Sequence, residues 1–552
     1  MRCRSLVLAL SILCSVASAL VAPTAADSRV QSRPHNANHI FNAIHSSMRQ
    51  WGSSLNHNGM SFFLATVPEG TQLYHGTPAH ESVKGMEWLA FEPEHALIFA
   101  HPIWSHPPDG RLGKEYPERV RHELDERAPM QPRKACEDGR NEKELHRDPG
   151  LDYVELPRPH NRDRQRPFFA EPLAKTERTG YLHTYVPKHP LKLLYIDGLS
   201  AGKTTNGTLD TQDVLLLNLI NSDIANDLGR AQGLCNLSST LWENRIDGIL
   251  RMEGGFEIIL CNFEKHLETK DIMPVVYNEW RGSVMNLWVY FKAITKRYHG
   301  IGGGRAVLDY ENFVSAFEYP ELDLWNNDVI SDMEMPRLQK AKSRDLQKVK
   351  DAVTAMILSP SSGEGKSVNW QEVIDMLVTR YSGPLHSLHT NPELRSSREA
   401  FTESLSNLLR PFIDYTSRNS SAEILRCISQ SIPQPAFAQS LAYKAIHTVA
   451  FQLCKTLISA HGITIPSSGR TAAEPAPPSS ALQLVDSLKE YLQWTSWKEC
   501  KGCSDEEICV VPIWPMGNHE QHAVPRCQGR SVKWAYGYWG IGRMRALPWG
   551  AM

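Results

Sequence analysis

The chain has no excess of charge of one sign. Its 59 Lys and Arg nearly balance its 61 Asp and Glu, for a formal net charge of −2 at pH 7. That removes any general electrostatic pull toward nucleic acid or anionic lipid. Beyond the N-terminus it also lacks a long uninterrupted apolar run. The best stretch, 441–460, carries Lys444, His447, Gln452 and Lys455, so a buried core helix is expected there and no membrane span after the leader is removed. There is no internal repeat and no Gly-x-Ser-x-Gly elbow of a serine hydrolase. Phosphate loops are wanting too. Gly202-Lys203-Thr204 and Gly365-Lys366-Ser367 have Asp197 and Pro360 where a phosphate-wrapping loop needs its first glycine. His519 and His522 are one residue short of the spacing that puts two imidazoles on one helix face. No metal is expected.

What is present begins with a signal-peptide pattern over residues 1–19. Arg2 and Arg4 precede an apolar run from Ser5 to Val16, and Ala17-Ser18-Ala19 offers small residues for cleavage. The expected location is therefore secreted, extracellular. Two of the 11 cysteines, Cys3 and Cys14, leave with that leader. Those that remain enter an oxidising compartment, where most should pair. By proximity and elimination, Cys235 is expected with Cys261 and Cys427 with Cys454. Cys500, Cys503, Cys509 and Cys527 have spacing that zinc could use, but export favours disulfides. Cys136, in a charged segment, is the expected odd thiol. Sequons at Asn206, Asn236 and Asn419 are candidate glycosylation sites.

Patterning divides the rest. Residues 20–59 read as a polar leader with one short helix, and 60–270 as an α+β domain. That domain is interrupted at 105–179 by a segment rich in Arg, Glu, Asp, Pro and His, expected to be disordered because it has too little apolar surface to offset ordering entropy. "YLHTYV" and "LKLLYID" read as strands, Asp210–Arg230 as a helix, and "IDGILRM" and "FEIILCNF" as two further strands. An all-α domain follows over 271–465, with one stripe of Val284, Leu287, Trp288, Phe291 and Ile294. A second stripe of Trp370, Val373, Ile374, Leu377 and Tyr381 is capped by Asn369. A Ser/Pro/Ala-rich linker spans 466–480. The end, 481–552, reads as a helix, a small disulfide-rich module and an aromatic tail. Residues 529–552, rich in Trp, Tyr, Gly and Arg, are either an interaction tail or translated non-coding sequence.

Chemistry concentrates in the α+β part. "QLYHGTP" (72–78) sets His75 at a strand end, "GMEWLAFEPEHALIFA" (85–100) reads as strand, turn and helix, and "RIDGILRMEGGFEIILCNF" (245–263) brings Glu257 onto an apolar strand. This ordered set resembles the His/aromatic/Glu branch of the ADP-ribosyltransferase superfamily, over about 120 residues. The resemblance implies a split β-sheet core with NAD as substrate, cleaved and its ADP-ribose transferred, or hydrolysed as by an NAD glycohydrolase. It assigns His75 to the adenosine ribose, Trp88 or Phe91 to stacking on nicotinamide, and Glu257 to the oxocarbenium-like centre. Glu253 competes with Glu257 as the acid, and the family's tyrosine is missing between 86 and 100. The whole chain also resembles an uncharacterised family of secreted fungal proteins, which implies export and no particular activity. The competing functional reading is a non-catalytic secreted binding or structural protein, with a protein or glycan as partner.

Overall fold

The computed structural model describes residues 33–56, 58–100, 179–203, 207–219, 227–275, 287–297, 304–325, 335–359, 368–433, 439–465, 476–511 and 524–530. The leader at 1–19, the insertion at 105–178, Cys136, Asn206, His519 and His522, most of the linker and the tail from 531 lie outside the described residues.

The architecture is α+β: a large mixed sheet followed by a helical C-terminal half. Nine strands form the sheet in the order β8-β4-β2-β3-β7-β6-β5-β1-β9. They are β1 (Asn58–Val67), β2 (Leu73–Thr77), β3 (Glu87–Ala90), β4 (Gly180–Pro187), β5 (Leu191–Gly198), β6 (Gly248–Met252), β7 (Phe256–Leu260), β8 (Leu267–Val275) and β9 (Val307–Ser315). Among the described strands, only β5 and β6 pair in parallel. The central strands are buried on both faces: all five residues of β7 and of β6 are buried. Such continuous runs belong to strands covered on both sides.

The leader is not a polar appendage. Helix Ala37–Ser46 has Ile40, Phe41 and Ile44 fully buried, in a cluster that joins the sheet to the C-terminal helices. Its apolar residues recur at helical spacing, but short polar residues between them mask the pattern. The segment read as all-helical contains β9, which pairs with β1 at the sheet edge. Helix Asp210–Arg230 is also corrected. Residues 211–216 make a π-helical turn, and an α-helix runs over Asp227–Ser239. Asp210 is drawn from a capping role by Arg337, whose Nε lies 2.9 Å from its carboxylate.

Elsewhere the helical stripes pack as the periodicity requires. Helix Trp370–Thr390 is capped by the Asn369 side chain, which accepts from Glu372 N–H, and it buries Trp370, Val373, Ile374, Leu377 and Tyr381. In helix Leu287–Arg297, Phe291 and Ile294 are buried; Val284 lies outside the described residues. Helices Ser343–Leu358, Arg398–Leu409, Ser420–Ser429, Leu441–Thr464 and Ser479–Leu492 complete the half.

Four disulfides tie the described chain: Cys235–Cys261, Cys427–Cys454, Cys500–Cys509 and Cys503–Cys527. The last two staple a small two-stranded element, Ile508–Cys509 against Cys527–Gln528. No helix among the described residues is long and apolar enough to cross a membrane.

The Cys427–Cys454 bridge closes a loop of sequence separation 27 inside the helical half. Replacing both cysteines by Ala is expected to lower unfolding free energy by about 3 kcal/mol. Urea unfolding of the two proteins, without reductant, checks this; unchanged midpoints would mean the bridge does not constrain the unfolded chain.

Candidate functional site

Strand parity decides where the expected site residues point. Tyr74 lies opposite Ala90, Ala90 opposite Glu257, and Glu257 opposite Arg251. Successive side chains alternate between sheet faces. The row Tyr74–Ala90–Glu257–Arg251 therefore faces one way, and His75, the neighbour of Tyr74, faces the other. His75 and Glu257 sit on opposite faces, so the expected imidazole–carboxylate pair across a nicotinamide does not assemble. The sequence showed the order of the strands but not the register that sets this parity.

Each residue is also engaged locally. The His75 ring donates from Nδ1 to the Trp88 carbonyl at 2.8 Å and stands beside His183 and Phe263. Burial holds its pKa below the usual imidazole range. Glu257 receives Arg251 Nε at 2.7 Å, and Arg251 Nη1 donates to Gln212 Oε1 at 2.7 Å. With side-chain exposures of 1% and 7%, Arg251 and Glu257 are a buried ion pair. Trp88 pairs with Ile259, which turns it to the Glu257 face two residues along the strand. Phe91 is buried just beyond β3, under the Arg305 guanidinium at 5.7 Å.

Around Glu257 lies a charged network. Lys203 bridges Asp227 at 2.5 Å and Glu253 at 3.1 Å, and Arg230 reaches Asp213 at 2.9 Å. Burial opposes the Lys203 charge, but Glu253 and Asp227 outweigh it and hold its pKa above the usual lysine range. Burial raises the Glu253 carboxyl; Lys203 resists this, and Glu257 adds to it. His95 and Tyr290 close over the turn Gly254-Gly255: a Cβ on Gly255 would meet His95 Nδ1, and one on Gly254 the Tyr290 hydroxyl. Burial lowers the His95 pKa to about 4. Cations and carboxylates interleave here, so the network closes on itself as an electrostatic clamp on the β6–β7 turn.

A different place offers room. A cavity of about 770 Å³ opens where helix Ala37–Ser46, the ends of β1 and β5, and the segment after helix Ser479–Leu492 meet. Its wall includes His39, Asn42, Asp197, Trp325, Trp494 and Trp497. His39 stacks against Phe317 at 5.0 Å and lies 4.9 Å from Trp325, while Trp494 and Trp497 stack at 5.2 Å. Asp197 Oδ1 accepts from Ser61 N–H at 2.8 Å. Burial nevertheless pushes its carboxyl up to about 7, and burial lowers His39 to about 4. Buried side-chain atoms of wall residues without a protein partner include Asn42 Oδ1, an acceptor, and Trp494 Nε1, a donor; both are closed off from the cavity space. Sequence reading missed this site because its residues come from segments over 400 positions apart; Asn42 Nδ2, for example, donates to Leu492 O at 2.9 Å. The available signal was the asparagine-rich stretch around a helical apolar pattern at 36–47. Of the sequons, Asn236 and Asn419 are exposed, and Asn419 caps helix Ser420–Ser429.

Comparison with known proteins finds uncharacterised yeast relatives. Residues 31–287 match the family model described as the YPL277C N-terminal domain. The chain is similar to Uncharacterized protein YOR389W of Saccharomyces cerevisiae, 24% identical over an alignment covering 88% of this chain and 83% of that protein. It is also similar to Uncharacterized protein YPL277C of the same yeast, 29% identical across 41% of each chain. No solved structure matches the chain significantly.

Two outcomes test these assignments. Glu257→Gln strands the Arg251 charge in the sheet and is expected to destabilise the fold by about 3–5 kcal/mol in denaturant unfolding. A loss below about 1 kcal/mol would mean the pair is not buried in solution. Asp197 has a folded pKa of about 7 against an ordinary 3.8, so the native state holds its proton to higher pH than the unfolded chain does. Its contribution to stability is present below about pH 4 and lost as pH rises through about 7, on the order of 3–4 kcal/mol. Asp197→Asn keeps an acceptor for Ser61 and is expected to remove this loss. Melting curves of both proteins at about pH 4 and about pH 8 would show the gap between them changing with pH.

Proposed function

We propose that the protein is exported and acts as a non-catalytic binding protein whose ligand is a glycan, held in the cavity beside Asp197. Export is supported by the leader pattern of residues 1–19 and by the disulfides, which persist in oxidising compartments.

The observation that carries the binding reading is a cavity of about 770 Å³ whose wall combines the indoles of Trp325 and Trp497 with the polar side chains of His39, Asn42 and Asp197. Sugar hydroxyls can both donate and accept, which suits a wall that carries an imidazole, an amide and a carboxyl group. A sugar ring adds an apolar C–H face that stacks on indole, and the partly exposed Trp325 and Trp497 offer such faces. The volume falls within the range of small-ligand sites. The resemblance-based NAD reading draws less support, since it needs His75 and Glu257 on one face and strand register puts them on two.

Purified full-length protein on a glycan array, followed by calorimetry with the best binder, tests the proposal. Trp497→Ala and Trp325→Ala are each expected to weaken binding on the order of tenfold. The reading fails if no glycan binds, or if NAD is bound or hydrolysed and Glu257→Gln abolishes that signal in a protein that is still folded.

A further inference from the structure

A cluster away from both the cavity and the Glu257 network has the makings of a metal site. His189 lies in the turn between β4 and β5, Asp247 immediately precedes β6, and His266 ends the short helix Phe263–His266 that leads into β8. One donor atom from each of the three lies within 4.8 Å of the others. We propose that His189, His266 and Asp247 bind a divalent transition-metal ion of the zinc class.

Geometry is the first argument. His266 Nδ1 and His189 Nε2 face each other at 3.2 Å. A tetrahedral ion with Zn–N bonds of about 2.0–2.1 Å holds two nitrogens about 3.3 Å apart. The two rings meet edge to face, 72° between planes, so the nitrogens converge without the rings colliding. On the other side of the His266 ring, Asp247 Oδ1 lies 3.5 Å from Nε2. The Asp247 carboxylate thus supplies a third donor atom within 4.8 Å of a nitrogen of each ring.

The second argument is that the site is built before any ion arrives. Asp247 N–H donates to Lys192 O at 2.6 Å, and Lys192 N–H donates to Asp247 Oδ2 at 2.8 Å. Lys188 N–H donates to His266 O at 2.9 Å. Cys261 N–H donates to Asp247 O at 3.0 Å, and Cys261 is itself disulfide-bonded to Cys235. The ligand-bearing backbone is thus fixed by hydrogen bonds and one covalent tie. Lys188 Nζ is turned to Glu264 O at 2.7 Å.

The donor set selects the ion. Two imidazoles and one carboxylate suit Zn²⁺, Ni²⁺ or Cu²⁺, whereas Ca²⁺ and Mg²⁺ demand oxygen ligands. The His189 side chain is open to solvent, which reaches the open coordination positions.

Untagged full-length protein, stripped with chelator and kept free of reductant so that the disulfides persist, is titrated with ZnCl₂ by calorimetry. One equivalent is expected to bind, and zinc is expected to raise the melting temperature. His189→Ala changes an exposed turn residue and should leave the metal-free melting temperature unchanged. It is expected to weaken zinc binding at least tenfold and abolish the zinc-dependent rise. Asp247→Asn should weaken it by about 10–100-fold. MgCl₂ in place of zinc should give no heat. The proposal is overturned if the wild-type chain binds no equivalent of zinc, or if His189→Ala binds it as tightly as wild type.

Discussion

The buried side-chain amide of Gln371 is the contact on which the two halves of this molecule depend. Its Nε2 sits among the carbonyls of Ile44, His45 and Ser47, at 3.1, 3.2 and 2.9 Å, where the first helix ends. Carbonyls at a helix end run short of intrahelical donors; Ile44 O also accepts from Ser47 N–H at 3.3 Å and from Ser47 Oγ at 2.7 Å. A second tie lies beside it, the two-pronged pair of Arg49 with Asp375 at 2.7 Å per contact. The same strip is bound to the sheet: Ser47 Oγ bonds the Tyr310 hydroxyl at 2.8 Å, and Met48 N–H donates to Tyr195 Oη at 3.2 Å. Residues 37–48 are therefore a wedge with polar ends satisfied on both sides and an apolar middle in the common core.

That wedge explains why the cavity exists where it does. Helix Ala37–Ser46 brings His39 and Asn42 against a segment contributed by residues 493–498, and the sheet supplies Asp197 from the end of β5. Amide-to-backbone bonds from Asn38 to Tyr491 and from Asn42 to Leu492 hold the walls in register. Space that close packing would otherwise eliminate persists because its lining is polar and anchored elsewhere. The charged network around Glu253 does the opposite job. It fills the end of the sheet with groups that satisfy one another, and its stability follows from pairing rather than from openness.

Much of the fold was legible in the chain. Helix Trp370–Thr390, with its Asn369 cap and buried stripe, follows from 3.6-residue periodicity and a short polar acceptor at the right place. Strands β4 to β7 follow from compact apolar runs. What was not legible has identifiable causes. β9 was hidden because Asp309, Glu311 and Asn312 interrupt its apolar residues and the strand borders segments of helical pattern. A short helix was expected within 20–59, but its place in the core was hidden because asparagine and histidine separate its apolar residues. The facing of His75 relative to Glu257 turns on a single residue of register: shifting β2 by one position against β3 would turn His75 to the Glu257 face.

By itself, then, the sequence determined which segments can be helix or strand, which cysteines are close enough along the chain to pair, and that charge balance leaves no general pull toward polyanions. Those are properties of spacing and composition, read over a few residues at a time. Only the tertiary structure decided which side chains meet. The imidazoles of His189 and His266 lie 77 positions apart and the cavity walls span more than 400. Such neighbours arise from strand register and from helices closing over a sheet, and no local pattern encodes them.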